Sequence, residues 1–291
     1  MRRVVLHADD LGMSHGANAA FAELSSFGTI TSGSVMVPCP WFAELAAMAR
    51  ADAGLDVGVH LTLTSEMPRY RWRPLTRPSA AAGLTDSDGF FHPDTATVRA
   101  RAAPEAVEAE LRAQVDAALA AGIDVTHLDD HMGTVLAPEF AAAYVRVAAE
   151  YRLPPVICPA LAAYGGPHNM GGIGETAFAR GAALAKAAGF RIFDWIAETD
   201  WSGAQPPEAA ARALIAGLGL GLSFAALHVT RPGEIEAIDP GAHGIRTSEY
   251  AVYRSAEFRN WLGRQGLEVT KMRALREAYQ GGEEWTASAS G

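Results

Sequence analysis

The chain alternates short apolar runs with longer amphipathic, alanine-rich segments, and nothing else in it constrains the fold as strongly. Runs at 3–8, 30–37, 55–63, 125–128, 155–157, 191–196, 223–229 and 267–270 read as strands. Segments at 16–27, 41–50, 104–121, 138–151, 175–188, 207–218, 248–264 and 271–279 read as helices. Strands separated by helices of roughly 10–18 residues pair in parallel through right-handed crossovers. Seven or eight such units predict a single α/β domain over residues 1–280, an irregular (β/α) barrel of seven or eight parallel strands. An open doubly wound sheet is the alternative. The glycine fingerprint of a dinucleotide site is missing, because "DDLGMSHG" after the first strand sets acids where a pyrophosphate needs backbone amides.

The 291 residues, 49% of them hydrophobic, can fill one sizeable core. A formal charge of -9 excludes a non-specific nucleic-acid binder, which needs clustered Lys and Arg. The first apolar run stops at Ala8, too short for a signal peptide or a membrane span, so a cytoplasmic protein is expected. Cys39 and Cys158 show no CxxC spacing and read as buried thiols. Residues 64–103 lack a period and read as a lid-like loop, and 281–291 as a disordered tail. His15, His168 and His243 read as surface or loop residues.

Unusual residues gather at the ends of the strands. The first run ends in His7, Asp9 and Asp10. The third ends in "GVHLTLTSE" with His60, the fourth in "THLDDHMG" with His127, Asp129, Asp130 and His131, and a later one in "LHVTRPG" with His228. Taken singly, each has an ordinary reading: His60 as a satisfied core histidine, Asp10 as a helix cap, the others as loop-edge groups. In a parallel barrel, however, the carboxyl ends of all strands open on one face. Asp and His converging there suit a mononuclear metal site with positions left for water and substrate. Adjacent acids on a strand point to opposite sides unless the chain bends. A bend at "DDLG", relaxed by Gly12, would let one aspartate hold the metal and leave its neighbour free to accept a proton from water.

"HADDLGMSHGAN", "VGVHLTLTSE" and "THLDDHMG", in this order and spacing, resemble the YdjC/ChbG-like carbohydrate deacetylases over residues 3 to about 233. The resemblance implies an irregular (β/α) barrel, one divalent metal ion (zinc or magnesium) and hydrolytic removal of acetyl from an N-acetylated sugar. By motif position it makes Asp9 the general base, Asp10, His60 and His127 the metal ligands, and His228 the group that protonates the leaving amine. It places His131 in the same pocket as a substrate-binding residue. The chain departs from the family with Met132-Gly133 in place of a further histidine, and with "HVTRPG" in place of His-Pro-Gly. Arg231 cannot act as an acid at working pH, and is expected to bind a sugar hydroxyl or carboxylate. Trp72 is expected to stack on a sugar face, with Tyr70, Phe90, Phe91 and His92 in the same wall.

Two other functions fit the same residues. A phosphoesterase would use a second metal, for which Asp129 and Asp130 could serve. A non-catalytic sugar-binding barrel would keep the architecture alone. Exposed aromatic loops admit a homodimer.

Overall fold

The computed structural model describes residues 1–164 and 169–282. Among the described residues seven strands form one parallel sheet: β1 (Arg2–Leu11), β2 (Ser32–Val35), β3 (Val57–Leu61), β4 (Val125–Asp130), β5 (Trp195–Glu198), β6 (Gly221–Leu227) and β7 (Leu267–Val269). The order is β4-β3-β2-β1-β6-β5, with β7 paired to the first residues of β1. Between them run the helices α1 (His15–Phe27), α2 (Phe42–Ala51), α3 (Thr95–Arg101), α4 (Pro104–Ala120), α5 (Ala141–Tyr151), α6 (Glu175–Ala187), α7 (Pro207–Gly217), α8 (Ile235–Ile238), α9 (His243–Tyr253), α10 (Ala256–Leu262) and α11 (Met272–Gly281).

The sheet curls into a half-barrel. The run expected as a strand at 155–157 appears as an isolated bridge, because Pro155 and the preceding Pro154 lack the N–H donors that a ladder needs. It still spans the gap between β4 and β5: Val156 N donates to Leu128 O at 2.9 Å, and Phe193 N to Ile157 O at 2.9 Å. β1 is the central strand and is buried from Val4 onward. Its interior faces fill with Val4, Val5, Leu6 and Ala8, and α1 packs Ala17, Phe21 and Leu24 into the same core. The helix expected at 248–264 is two helices, since the Ser255 side chain accepts from Phe258 N and starts α10 afresh. Ser14, not Asp10, caps α1, accepting from Ala17 N at 2.9 Å.

The 64–103 segment is packed against the body. It contains α3 and buries Trp72, Phe91 and His92. Ser65 N donates to His92 O at 2.8 Å, and His92 Nε2 lies 3.0 Å from Gly83 O, so His92 ties the loop together from within. No described helix is long and apolar enough to cross a membrane. Cys39 and Cys158 are free and buried. His168 and residues 283–291 of the expected tail lie outside the described residues, while Gly281 closes α11.

Candidate active site

β1 brings both acids to one place by carrying a surplus residue. Against β2 its register runs His7 to Ser32 and Ala8 to Gly33, then Leu11 to Val35, so three steps match two. Within this bulge Asp10 adopts φ 60°, in the left-handed region, and Gly12 follows at φ 82°. Both carboxylates consequently line a pocket of about 230 Å³ at the carboxyl ends of the strands. The expected bend is there, and Asp10 itself bears the backbone strain.

Asp10 Oδ1 lies 3.1 Å from His131 Nδ1 and 3.4 Å from His60 Nε2. All three side chains are buried, and their ligand atoms lie within 4.8 Å of one another. Despite these neighbours, Asp10 Oδ1 accepts no well-aligned hydrogen bond. Three ligand atoms this close together could hold one metal ion. Burial drives imidazoles toward neutrality, yet Asp129 with Asp10 raises His60 well above the usual imidazole range, and Glu66 with Asp10 raises His131 to about 9. The acids surrounding these rings call for positive charge, and a divalent cation fits this donor set.

His127 stands elsewhere. It is fully buried, with Nδ1 2.9 Å from Thr126 Oγ1 and its ring 4.9 Å from that of His7. It does not line the pocket, and its ligand atom groups with His7 and Asp129 one layer below. Burial depresses its pKa to about 3, and its Nε2 has no hydrogen-bond partner. The structure therefore sets His131, rather than His127, beside Asp10 and His60. Asp129 joins the two layers: Ser34 Oγ donates to its Oδ2 at 2.7 Å, His7 Nε2 lies 3.1 Å from the same oxygen, and His60 Nδ1 lies 3.1 Å from Oδ1.

Asp9 and His228 share the pocket. His228 Nε2 lies 3.8 Å from Asp9 Oδ2 and 3.9 Å from Asp10 Oδ2. Burial, with Asp129 and Asp10 nearby, holds Asp9 well above the usual carboxylate range, while burial lowers His228 to about 3. Burial also pushes Asp10 upward, but Arg246 and His131 overcome it and keep Asp10 well below that range. Arg246 Nη1 donates to Asp10 Oδ2 at 2.7 Å. Two neighbouring acids are thereby separated, one ionised and one retaining affinity for a proton.

Two expected substrate contacts do not reach the pocket. Arg231 is held by Glu23 and Tyr250, with its Nε donating to Glu23 Oε2 at 3.0 Å and to the Tyr250 hydroxyl at 3.2 Å. Trp72 is buried behind His131, ring centroids 6.3 Å apart, with its Nε1 donating to Thr64 O at 2.7 Å. Neither lines the cavity. Trp201 and Arg246 do: the Trp201 ring lies 4.5 Å from His228, and the Arg246 guanidinium 5.0 Å from Trp201. Glu66 also lines it, with Oε1 2.9 Å from His131 Nε2. Glu66 stood within a quoted motif, but nothing in the spacing of Trp201 or Arg246 marked either residue.

The model of the family described as YdjC-like protein matches residues 3–264. A carbohydrate deacetylase of Thermus thermophilus is 42% identical over 166 residues, 57% of this chain and 57% of that protein. A carbohydrate deacetylase of Brevibacillus brevis is 34% identical over 152 residues, 52% of this chain and 58% of its own length. In both cases the match spans little more than half of the relative. Among solved structures, a candidate cellobiose-phosphate cleavage protein of Enterococcus faecalis V583 superposes with a TM-score of 0.74 at 20% identity, covering 94% of this chain and 98% of the other. That likeness bears on the fold alone.

Proposed function

The chain belongs to the YdjC-like protein family, and on that premise we propose that it is a hydrolase removing acetyl from an N-acetylated sugar or oligosaccharide. The observation that carries this reading is the meeting of Asp10, His60 and His131 at one rim, with Asp9 and His228 facing the same space. A divalent cation, zinc or magnesium, held by Asp10, His60 and His131 would supply Lewis acidity toward the acetyl carbonyl and toward water.

The chain's own groups divide the remaining work. Asp9, with its raised proton affinity and an Oδ1 that accepts no hydrogen bond, takes the proton from the attacking water. Arg246 keeps Asp10 ionised by donating to its Oδ2. Asp129 and Glu66 fix the orientation of His60 and His131 from behind. Trp201 offers a flat face for a sugar ring. His228 Nε2, turned toward the two acids, passes a proton to the departing nitrogen.

Electrostatics favours an amide over a phosphate ester. Glu66, Asp129, Asp130 and Glu198 all line the pocket and oppose a phosphate's charge. Asp129, needed for a second metal in the phosphoesterase alternative, is engaged with Ser34, His7 and His60. The test is acetate release from N-acetylglucosamine oligomers, with and without a chelator. Chelator-sensitive release is expected, with one metal ion per chain; two per chain and no acetate would overturn the reading.

A further inference from the structure

His228 presents a difficulty as a proton donor. It is buried, and burial disfavours an imidazolium, so its proton has to be supplied from elsewhere. The surroundings of its other nitrogen resolve this. His228 Nδ1 lies 2.9 Å from Thr199 Oγ1, and Thr199 Oγ1 lies 3.0 Å from each carboxylate oxygen of Glu249. The His228 backbone N donates to Glu249 Oε2 at 2.7 Å, which locks the carboxylate to this loop. Three elements supply the chain of groups: Thr199 follows β5, His228 follows β6, and Glu249 is on α9.

The two ends open on different spaces. His228 lines the active pocket. Thr199 and Glu249 line a second cavity of about 240 Å³, walled by Asp200, Pro207, Leu214 and Ile245. Thr199 is buried and Glu249 is partly exposed.

We propose that Glu249, Thr199 and His228 form a proton relay, in which Glu249 is the source of the proton that His228 delivers to the leaving nitrogen. This rests on the deacetylase reading for its chemistry, although the relay itself can be observed without substrate. In the loaded state the Glu249 carboxyl donates to Thr199 Oγ1, the Thr199 hydroxyl donates to His228 Nδ1, and the imidazole is neutral with its proton on Nε2. As the bond from acetyl carbon to nitrogen breaks, its electron pair stays on nitrogen, which takes the Nε2 proton. His228 Nδ1 takes the Thr199 hydroxyl proton, and Thr199 takes the Glu249 proton. Glu249 ends as a carboxylate, Thr199 is again a hydroxyl, and His228 is neutral in its other tautomer. Three protons shift one place each, and the imidazole is neutral at both ends of the step. Burial places Glu249 at about 7, which suits a group that must exchange protons with solvent near neutrality. The charged or titratable groups around it are Arg246 and Tyr253 on its own helix, His228 across the relay, and Asp200 on the cavity wall.

Glu249 acts through His228 and is a positioning residue, so its test needs more than loss of rate. Nitrogen NMR of the imidazoles between about pH 5 and 9 reads the His228 tautomer directly. The expected result is a change from Nε2–H to Nδ1–H as Glu249 ionises, without the signature of an imidazolium. Glu249→Gln should remove the change, Thr199→Val should remove it, and Thr199→Ser should retain it. With N-acetylchitobiose, Glu249→Gln should lower kcat about 100-fold at unchanged KM and abolish the fall in rate on the basic side of the pH profile. A His228 tautomer indifferent to Glu249→Gln in the folded protein overturns the relay, whether or not acetate is released. A normal tautomer change without acetate release from any N-acetyl sugar upholds the relay and overturns the substrate reading instead.

Discussion

The imidazole of His60 lies with Nδ1 3.1 Å from Asp129 Oδ1, and this fixes which nitrogen it turns toward Asp10. A carboxylate behind a ligating imidazole sets its tautomer and raises its basicity. Asp129→Asn should therefore weaken zinc binding by about 10- to 100-fold in a calorimetric titration while the fold persists. An unchanged affinity would show that Ser34, 3.0 Å from the same nitrogen, suffices alone.

Asp9→Asn separates catalysis from stability. Turnover should fall at least about 100-fold with KM little changed. The thermal midpoint of the cation-free protein at neutral pH should rise, because a buried carboxylate beside Asp10 and Asp129 has been replaced by a neutral amide. Near-normal acetate release from the folded variant would remove Asp9 from its role as base.

Cation binding should release protons. His60 and His131 are both raised by neighbouring acids, and each must lose its proton to become a ligand. Zinc titrations near pH 7 in buffers of different ionisation enthalpy should report between about one and two protons set free, with affinity falling as pH is lowered. His131→Ala should abolish this binding. His127→Ala should leave the stoichiometry intact and cost about 2 kcal/mol of stability, as truncation of a buried side chain does. Binding that survives in His131→Ala and vanishes in His127→Ala would reverse the assignment.

Arg231 should prove structural. Arg231, Arg254 and the Tyr250 hydroxyl converge on Glu23, and the Tyr250 hydrogen bond leads the effects that lower it from 4.5 to about 2. Since the folded value is the depressed one, the stabilisation is present above pH 4.5 and is lost as pH falls through about 2. Glu23→Gln should lower stability at neutral pH by about 1 kcal/mol, allowing for solvent screening at this part-exposed site, with the difference from wild type vanishing in strong acid. Arg231→Ala should reduce the thermal midpoint and leave KM unchanged. A raised KM would return Arg231 to the substrate.

The strand and helix alternation was enough to read the parallel sheet and the rim where its chemistry collects. It could not give depth along a strand. His127 and Asp129 stand two residues apart in β4, a step of roughly 6.6 Å in height, and His131 follows in the turn just past the strand end. The pairing of β3 with β4 sets His60 opposite Asp129, which puts His127 too deep and brings His131 level with the rim. Register of this kind depends on where a neighbouring strand begins, and the local sequence does not state it. Arg246 and Trp201 escaped for a different reason. They come from α9 and from the segment after β5, and reach the pocket only through tertiary packing. Arg231, only three residues past a true pocket residue, is captured by Glu23 across a helix that the local text could not reveal.

The surplus residue in β1 makes the spelling of this strand unforgiving in a particular way. A substitution at Asp9 or Asp10 removes one carboxylate and leaves the other where it was. Loss of either codon would do more: the regular ladder with β2 would be restored, the kink would relax, and the surviving acid would be carried to the wrong side of the strand. In this chain a shortened copy of the motif is therefore a worse lesion than a misspelt one, although both retain a single aspartate.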